Sequence, residues 1–149
     1  MEFETQAQQV VYQRIEPWMK EKFGIFFHKR EDAPYFGVSI GSAFVHIGIQ
    51  PWTAENASIT VRSYVVLKAE THPDLLYFLL RENDKLRFGA FGLDEDNDIF
   101  FEHTLPGLDC TAEELAGSVL AVGQTTDQYD EVIVSRWGGV PASDMQTED

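Results

Sequence analysis

Apolar positions along this chain recur with two different periods, and the changes of period mark its elements. In residues 5–23, TQAQQVVYQRIEPWMKEKF, Ala7, Val11, Ile15, Trp18 and Met19 recur at helical spacing and share one face. Thr5 and Gln8 stand in capping-box spacing at the start, and Gly24 ends the element. Pro17 interrupts it, and either kinks the helix or begins a second turn. The period then falls to two. YFGVSI and AFVHIGI flank Gly41-Ser42, a short hairpin signal. In the second run Ala43, Val45, Ile47 and Ile49 take the core side, leaving Phe44, His46, Gly48 and Gln50 opposite. PWTAENAS reads as a loop, and 59–67 as a third strand with Ile59, Val61, Ser63 and Val65 on one face.

Thr71-His72-Pro73-Asp74 reads as a helix start with a [ST]-x-x-[DE] box and an early proline. The helix that follows, PDLLYFLLREN, is apolar nearly all round from Leu75 to Leu80. Such a helix is central, or is shared with another subunit. Two strands come next, LRFGAFGLD and DIFFEHTL, joined at Glu95–Asn97. Phe88 and Ala90 point one way and Phe91 and Leu93 the other. On the return strand Ile99 and Phe101 oppose Phe100. Both faces are apolar, so each needs a cover. Thr111 and Glu114 open a last helix, with Leu115, Val119, Val122, Thr126, Tyr129 and Ile133 in one stripe. Gly123 is expected to loosen its middle, and Gly138-Gly139 with Pro141 to stop it. The order α-β-β-β-α-β-β-α predicts an α+β fold, a mostly antiparallel sheet with helices packed on it. Residues 1–140 form one expected domain, and 141–149 an acidic, disordered tail.

Charge narrows the partners. Eleven basic residues against 25 acidic ones give a net charge of −14, which repels nucleic acid and anionic membranes. A basic client, or plain solubility, fits better. The hydrophobic share of 44% excludes a disordered chain. No apolar run approaches the ~20 residues of a membrane span, and the N-terminus lacks a signal-peptide pattern. Cys110 is the single cysteine, so no intrachain disulfide forms. That suits a reducing compartment, and the expected location is cytoplasmic. The Asn56-Ala57-Ser58 sequon is read as chance.

Candidate chemistry is sparse. Gly89 and Gly92 match no phosphate-loop pattern, and no helix follows them directly. They read as strand glycines that permit a bend or a close backbone approach. Asp94, Asp96 and Asp98 begin like a calcium loop, but Ile99 and Leu105 stand where Gly and Glu are required. His28, His46, His72 and His103 show no metal-ligand spacing. Cys110 precedes a helix, where a thiol pKa can be lowered, with His103 near in sequence; a Cys/His enzyme is one alternative. No cofactor, metal or catalytic residue is expected. The candidate protein-binding or dimer surface is Phe78, Phe88, Phe91, Phe100 and Phe101. A small-molecule or lipid site between sheet and helices is the other alternative.

The second half of the chain carries a family resemblance. Asn83, Leu86, Phe88, Gly89, Phe91, Leu93 and Asp94 fit an N-x-x-L-x-F-G-x-F-x-L-D strand. Leu105-Pro106 ends the return strand, and Thr111, Glu113, Glu114 and Leu115 fit the helix start that follows. With Tyr129–Gly139, residues 72–139 resemble YbjN-like domains related to type III secretion (Tir-type) chaperones, and most of all cyanobacterial members of unknown function. The resemblance implies an α+β sandwich in the order above. It also implies homodimerisation and the binding of an extended client segment in apolar grooves, with no enzymatic activity.

Overall fold

The computed structural model describes residues 1–145. The elements are α1 (Gln6–Phe23), β1 (Phe27–Lys29), β2 (Tyr35–Ile40), β3 (Ala43–Trp52), β4 (Asn56–Leu67) and α2 (Pro73–Lys85). They continue as β5 (Ala90–Leu93), β6 (Ile99–Pro106), α3 (Ala112–Trp137), β7 (Val140–Pro141) and α4 (Ala142–Met145). The expected α+β order is present, with β1, β7 and α4 added. The antiparallel sheet runs β1-β2-β3-β4-β6-β5, and β7 pairs with the far end of β4. α1 and α3 cross one face of this sheet, and α2 packs beside β5. Among the described residues, no helix is long and apolar enough to cross a membrane.

The helix signals act much as their chemistry requires. Thr5 Oγ1 accepts the Gln8 N–H at 3.1 Å, while Gln8 Oε1 accepts the Glu4 N–H at 2.7 Å. The capping box therefore closes one residue early. Val11, Ile15 and Met19 are buried, and Ala7 and Trp18 partly so; α1 runs unbroken through Pro17. Thr111 Oγ1 accepts the Glu114 N–H at 3.1 Å and starts α3. The 26 residues of α3 extend for about 39 Å. Its stripe is buried except for the half-buried Tyr129. Gly123 does not interrupt it. A Cβ there would come within 2.8 Å of Ile40, so the glycine lets β2 approach the helix.

Four sequence expectations need correction. The loop 51–58 is mostly strand: Pro51 pairs with Ala57 and Trp52 with Asn56, leaving a three-residue turn. Pro51 lies past the last β2 pair, Tyr35–Gly48, where β3 has become an edge and tolerates the missing N–H. The box at Thr71 does not form. α2 is capped by His72 without a side-chain bond, because Pro73 at the first helical position needs no N–H partner. Nor is α2 central: Leu75 and Leu79 are buried, whereas Tyr77 is 60% and Leu80 69% exposed. Finally, the chain stays ordered past residue 140. Pro141 pairs with Val66, and Ala142 is buried. The rest of the expected tail, 146–149, lies outside the described residues.

The core lies between the sheet and the α1/α3 layer. Ile47, Ile59 and Val61 from the strands meet Val11 and Ile15 from α1 and Leu115 and Val119 from α3. Alternation holds along β4 as far as Tyr64. A register irregularity between Tyr64 and Val66 then buries Val65 and Val66 together.

Candidate peptide-binding surfaces

The same alternation that fills the core leaves the other sheet face without a helical layer among the described residues. Its floor is built from aromatic rings and glycines. Tyr35 stands opposite Gly48, where a Cβ would come within 2.6 Å of the ring. Phe100 stands opposite Gly92 at the same clearance. The rings therefore lie down over glycine, keeping the face low. Arg62, on β4, is the centre. Its guanidinium lies 3.7 Å from the Phe100 ring centroid, and Nε and Nη2 both reach Glu102 Oε1 at 3.1 Å. The second face of the β5–β6 hairpin is thus capped over Phe100 by a cation.

Two clefts open beside Arg62. One, of about 430 Å³, is bordered by Arg30, Tyr35, Phe44, His46 and Tyr64. The other, of about 300 Å³, is bordered by Tyr35, His46, Gln50, Thr60 and Glu102. A third cleft, of about 580 Å³, lies between α1 and α3, with Trp18, Ala116 and Leu120 as its apolar walls and Glu21 and Glu113 among its rim residues.

The histidines respond to this packing. His46 is exposed on the outer face; crowding by its neighbours, and then the charges of Arg30 and Arg62, hold its pKa below the usual value, an effect that solvent weakens. Burial lowers that of His103, whose Nδ1 lies 2.8 Å from Ser118 Oγ. Above roughly pH 6.5 both rings are neutral, folded or unfolded, and carry no penalty. As pH falls below that value, the unfolded chain takes up protons that the folded chain resists, so stability is lost. The carboxylates held low, Glu16 by Lys29 and Asp127 by Ser42, act at lower pH. The melting temperature is therefore expected to fall between pH 7.5 and 5.5. In a His46→Gln, His103→Gln double variant the fall should be shallower; an equal slope would refute this assignment.

The candidate aromatic residues separate into distinct environments. Phe91 and Phe101 are interior, in edge-to-face contact at 5.0 Å, and offer no surface in this conformation. Phe100 is half-buried on the outer face. Phe78 is half-buried against Trp137 at 5.2 Å, with Arg136 over its ring. Phe88 is 58% exposed. It does not share the outer face with Ala90, because the chain becomes strand only at Ala90; its ring lies beside His103 instead.

Sequence reasoning missed the role of Asn83. Its side-chain amide accepts the Phe91 N–H at 2.7 Å and donates to the Phe91 carbonyl at 3.3 Å. One side chain thus occupies the free edge of β5 in place of a strand. Arg62 was readable as lying opposite Val61 and Ser63, but its meeting with Phe100 depends on the β4–β6 register.

The other candidate chemistries resolve into structural roles. Asp94, Asp96 and Asp98 do come together. Asp94 Oδ1 accepts the N–H groups of Asp96 and Asp98 at 2.9 and 3.0 Å, and Oδ2 accepts the Tyr64 hydroxyl at 3.0 Å, so Asp94 shapes the hairpin turn. Cys110 is buried, and burial with the Glu114 charge pushes its thiol pKa up, opposite to the lowering its place before a helix suggested. The thiol donates to the Thr111 carbonyl, and His103 is engaged with Ser118.

Solved structures share this fold. A chain of the ExsC–ExsE complex superposes with a TM-score of 0.62 at 12% identity, covering 86% of this chain and 96% of that one. A chain of the HopA1–SchA chaperone–effector complex gives 0.62 at 10% identity, covering 85% and 98%. The Yersinia pestis type III secretion chaperone SycH, in complex with a fragment of YscM2, gives 0.58 at 18%, covering 79% and 98%. Among curated proteins, none matches the sequence. The family model described as T3SS (YopN, CesT) and YbjN peptide-binding chaperone 1 matches residues 6–145, extending the resemblance seen at 72–139 through the N-terminal half. The chain belongs to this T3SS and YbjN peptide-binding chaperone family.

Proposed function

We propose that this protein is a non-enzymatic, chaperone-like module of the cytoplasm that binds an extended segment of a client protein and acts as a homodimer. The observation that carries the reading is the sheet face left without a helical layer, with clefts beside aromatic rings. An extended peptide can present alternate side chains to such clefts. Family membership supports the same reading. The charge of −14 favours basic clients over the surface at large. The dimer reading draws on α2, where the exposed Leu80, beside Tyr77 with Arg81 over its ring, offers apolar surface that a second copy can cover.

A small-molecule or lipid cavity between sheet and helices has less support, because buried side chains such as Ile47, Ile59, Leu115 and Val119 fill that space. Sedimentation tests the dimer. The native chain should sediment as a dimer, and Leu80→Asp as a folded monomer, since Leu80 is solvent-exposed and its loss leaves no cavity. A native monomer at high concentration, or a dimer unaffected by Leu80→Asp, would remove the α2 interface.

A further inference from the structure

We propose that the outer sheet face receives an acidic, aromatic-bearing stretch of the client, with a carboxylate seated on Arg62. The inference rests on the peptide-binding reading and specifies the chemistry of one bound segment. Its basis is the set of cations among the residues that line the clefts. The chain has more than two acids for each base. Among the described residues, the linings of the two clefts beside Arg62 hold Lys29, Arg30 and Arg62, with His28 and His46, against one acid, Glu102; Lys29 and Arg30 are also paired, outside the linings, with Glu16 at 2.9 Å and Asp32 at 2.9 Å.

Arg62 borders both clefts and is held in place by the Phe100 ring below it and by Glu102. Its two nitrogens converge on one Glu102 oxygen, which is not the two-oxygen fork that carboxylates form with arginine at their strongest. Among the described residues, Arg30 forms a fork with Asp32, Nε to Oδ1 at 3.1 Å and Nη2 to Oδ2 at 2.9 Å, and both side chains are largely exposed. Solvent and salt screen this exposed fork, and a ligand carboxylate has to compete with Asp32 for Arg30. The pre-positioned guanidinium lowers the ordering cost of binding. Tyr35, Phe44 and Tyr64 supply ring faces and edges for an aromatic side chain. Two adjoining clefts suit an extended segment, which turns every second side chain toward the same surface. A lysine in the same place would meet Arg30 and Arg62 as like charges.

The test uses the full chain and two labelled hexapeptides, one alternating phenylalanine with glutamate and one alternating phenylalanine with lysine. Fluorescence anisotropy should show the glutamate peptide binding roughly tenfold tighter, with the gap closing at high salt. Arg62→Gln and Arg30→Gln should each weaken the glutamate peptide by about three- to tenfold. Arg30→Gln removes an exposed ion pair and a cation 6.0 Å from the Tyr35 ring and leaves the core untouched, so it remains a readout if Arg62→Gln perturbs the fold. Equal or tighter binding of the lysine peptide would overturn the inference and leave the peptide-binding reading standing. Glutamate-peptide binding that ignores both substitutions would do the same. If neither peptide binds, the inference falls, and the wider reading is then judged by client capture alone.

Discussion

Phe101→Ala is expected to lower the free energy of unfolding by about 3–5 kcal/mol, and Phe88→Ala to change it by less than about 0.5 kcal/mol. The two residues lie on one hairpin and were equivalent candidates for a binding surface. Phe101 is 1% exposed and stands opposite both Phe91 on β5 and Ser63 on β4, so truncation leaves a void that three strands would have to close. Interior packing relaxes only in part around such a void, which adds a cavity cost to the lost transfer energy. Phe88 sits outside the strand, exposed, with an edge-to-face contact to His103 at 6.2 Å. Urea unfolding followed by circular dichroism measures both. Equal losses in the two variants would mean that the hairpin is not placed as described.

Asn83→Leu is expected to cost about 2–4 kcal/mol and to make the protein self-associate. Phe91 N–H and C=O, both directed to the free edge of β5, lose their partners together. An unpaired group at a part-buried position costs more than the net value of the bond it lost. The unblocked strand is also a template for pairing with another chain. Asn83→Asp keeps the acceptor for the Phe91 N–H at 2.7 Å but turns the 3.3 Å bond into an oxygen–oxygen repulsion with the Phe91 carbonyl, so it should fall between the two. Urea midpoints and light scattering provide the readouts. A leucine variant as stable and as dispersed as the native chain would show that the edge needs no such cover.

Much of the architecture was legible because burial on one side enforces a period. The α1 face, the β3 and β4 alternation and the α3 stripe reappear as buried positions, with Ala7, Trp18 and Tyr129 half-buried at their margins. Short and edge elements were not legible. Three residues, Phe27 to Lys29, are too few to show alternation, and Pro51 hid the end of β3 because a proline is acceptable only once the neighbouring strand has stopped. The apolar character of α2 suggested a helix that is central or shared with another subunit; only Leu75 and Leu79 face the core, because α2 packs at the β5 edge and leaves Tyr77 and Leu80 exposed. Phe100 was separable from Phe101 by parity alone, and the structure keeps that separation. Phe88 followed no parity, because the strand had not yet begun. The Asn83 clamp and the Arg62–Phe100 stack join residues 8 and 38 positions apart, contacts that only strand order and register determine. The Cys110 thiol went against expectation because burial and Glu114 outweigh what a helix start supplies.

The central claim is that this protein holds an extended segment of another protein. Affinity capture with the full chain from its own cells, followed by limited proteolysis and mass spectrometry of what stays bound, tests it most directly. The account predicts a short client segment retained in stoichiometric amount and protected from cleavage while the rest of the client is digested. Retention of no protein, or of a partner that is either wholly protected or wholly digested with no bound segment, would contradict it.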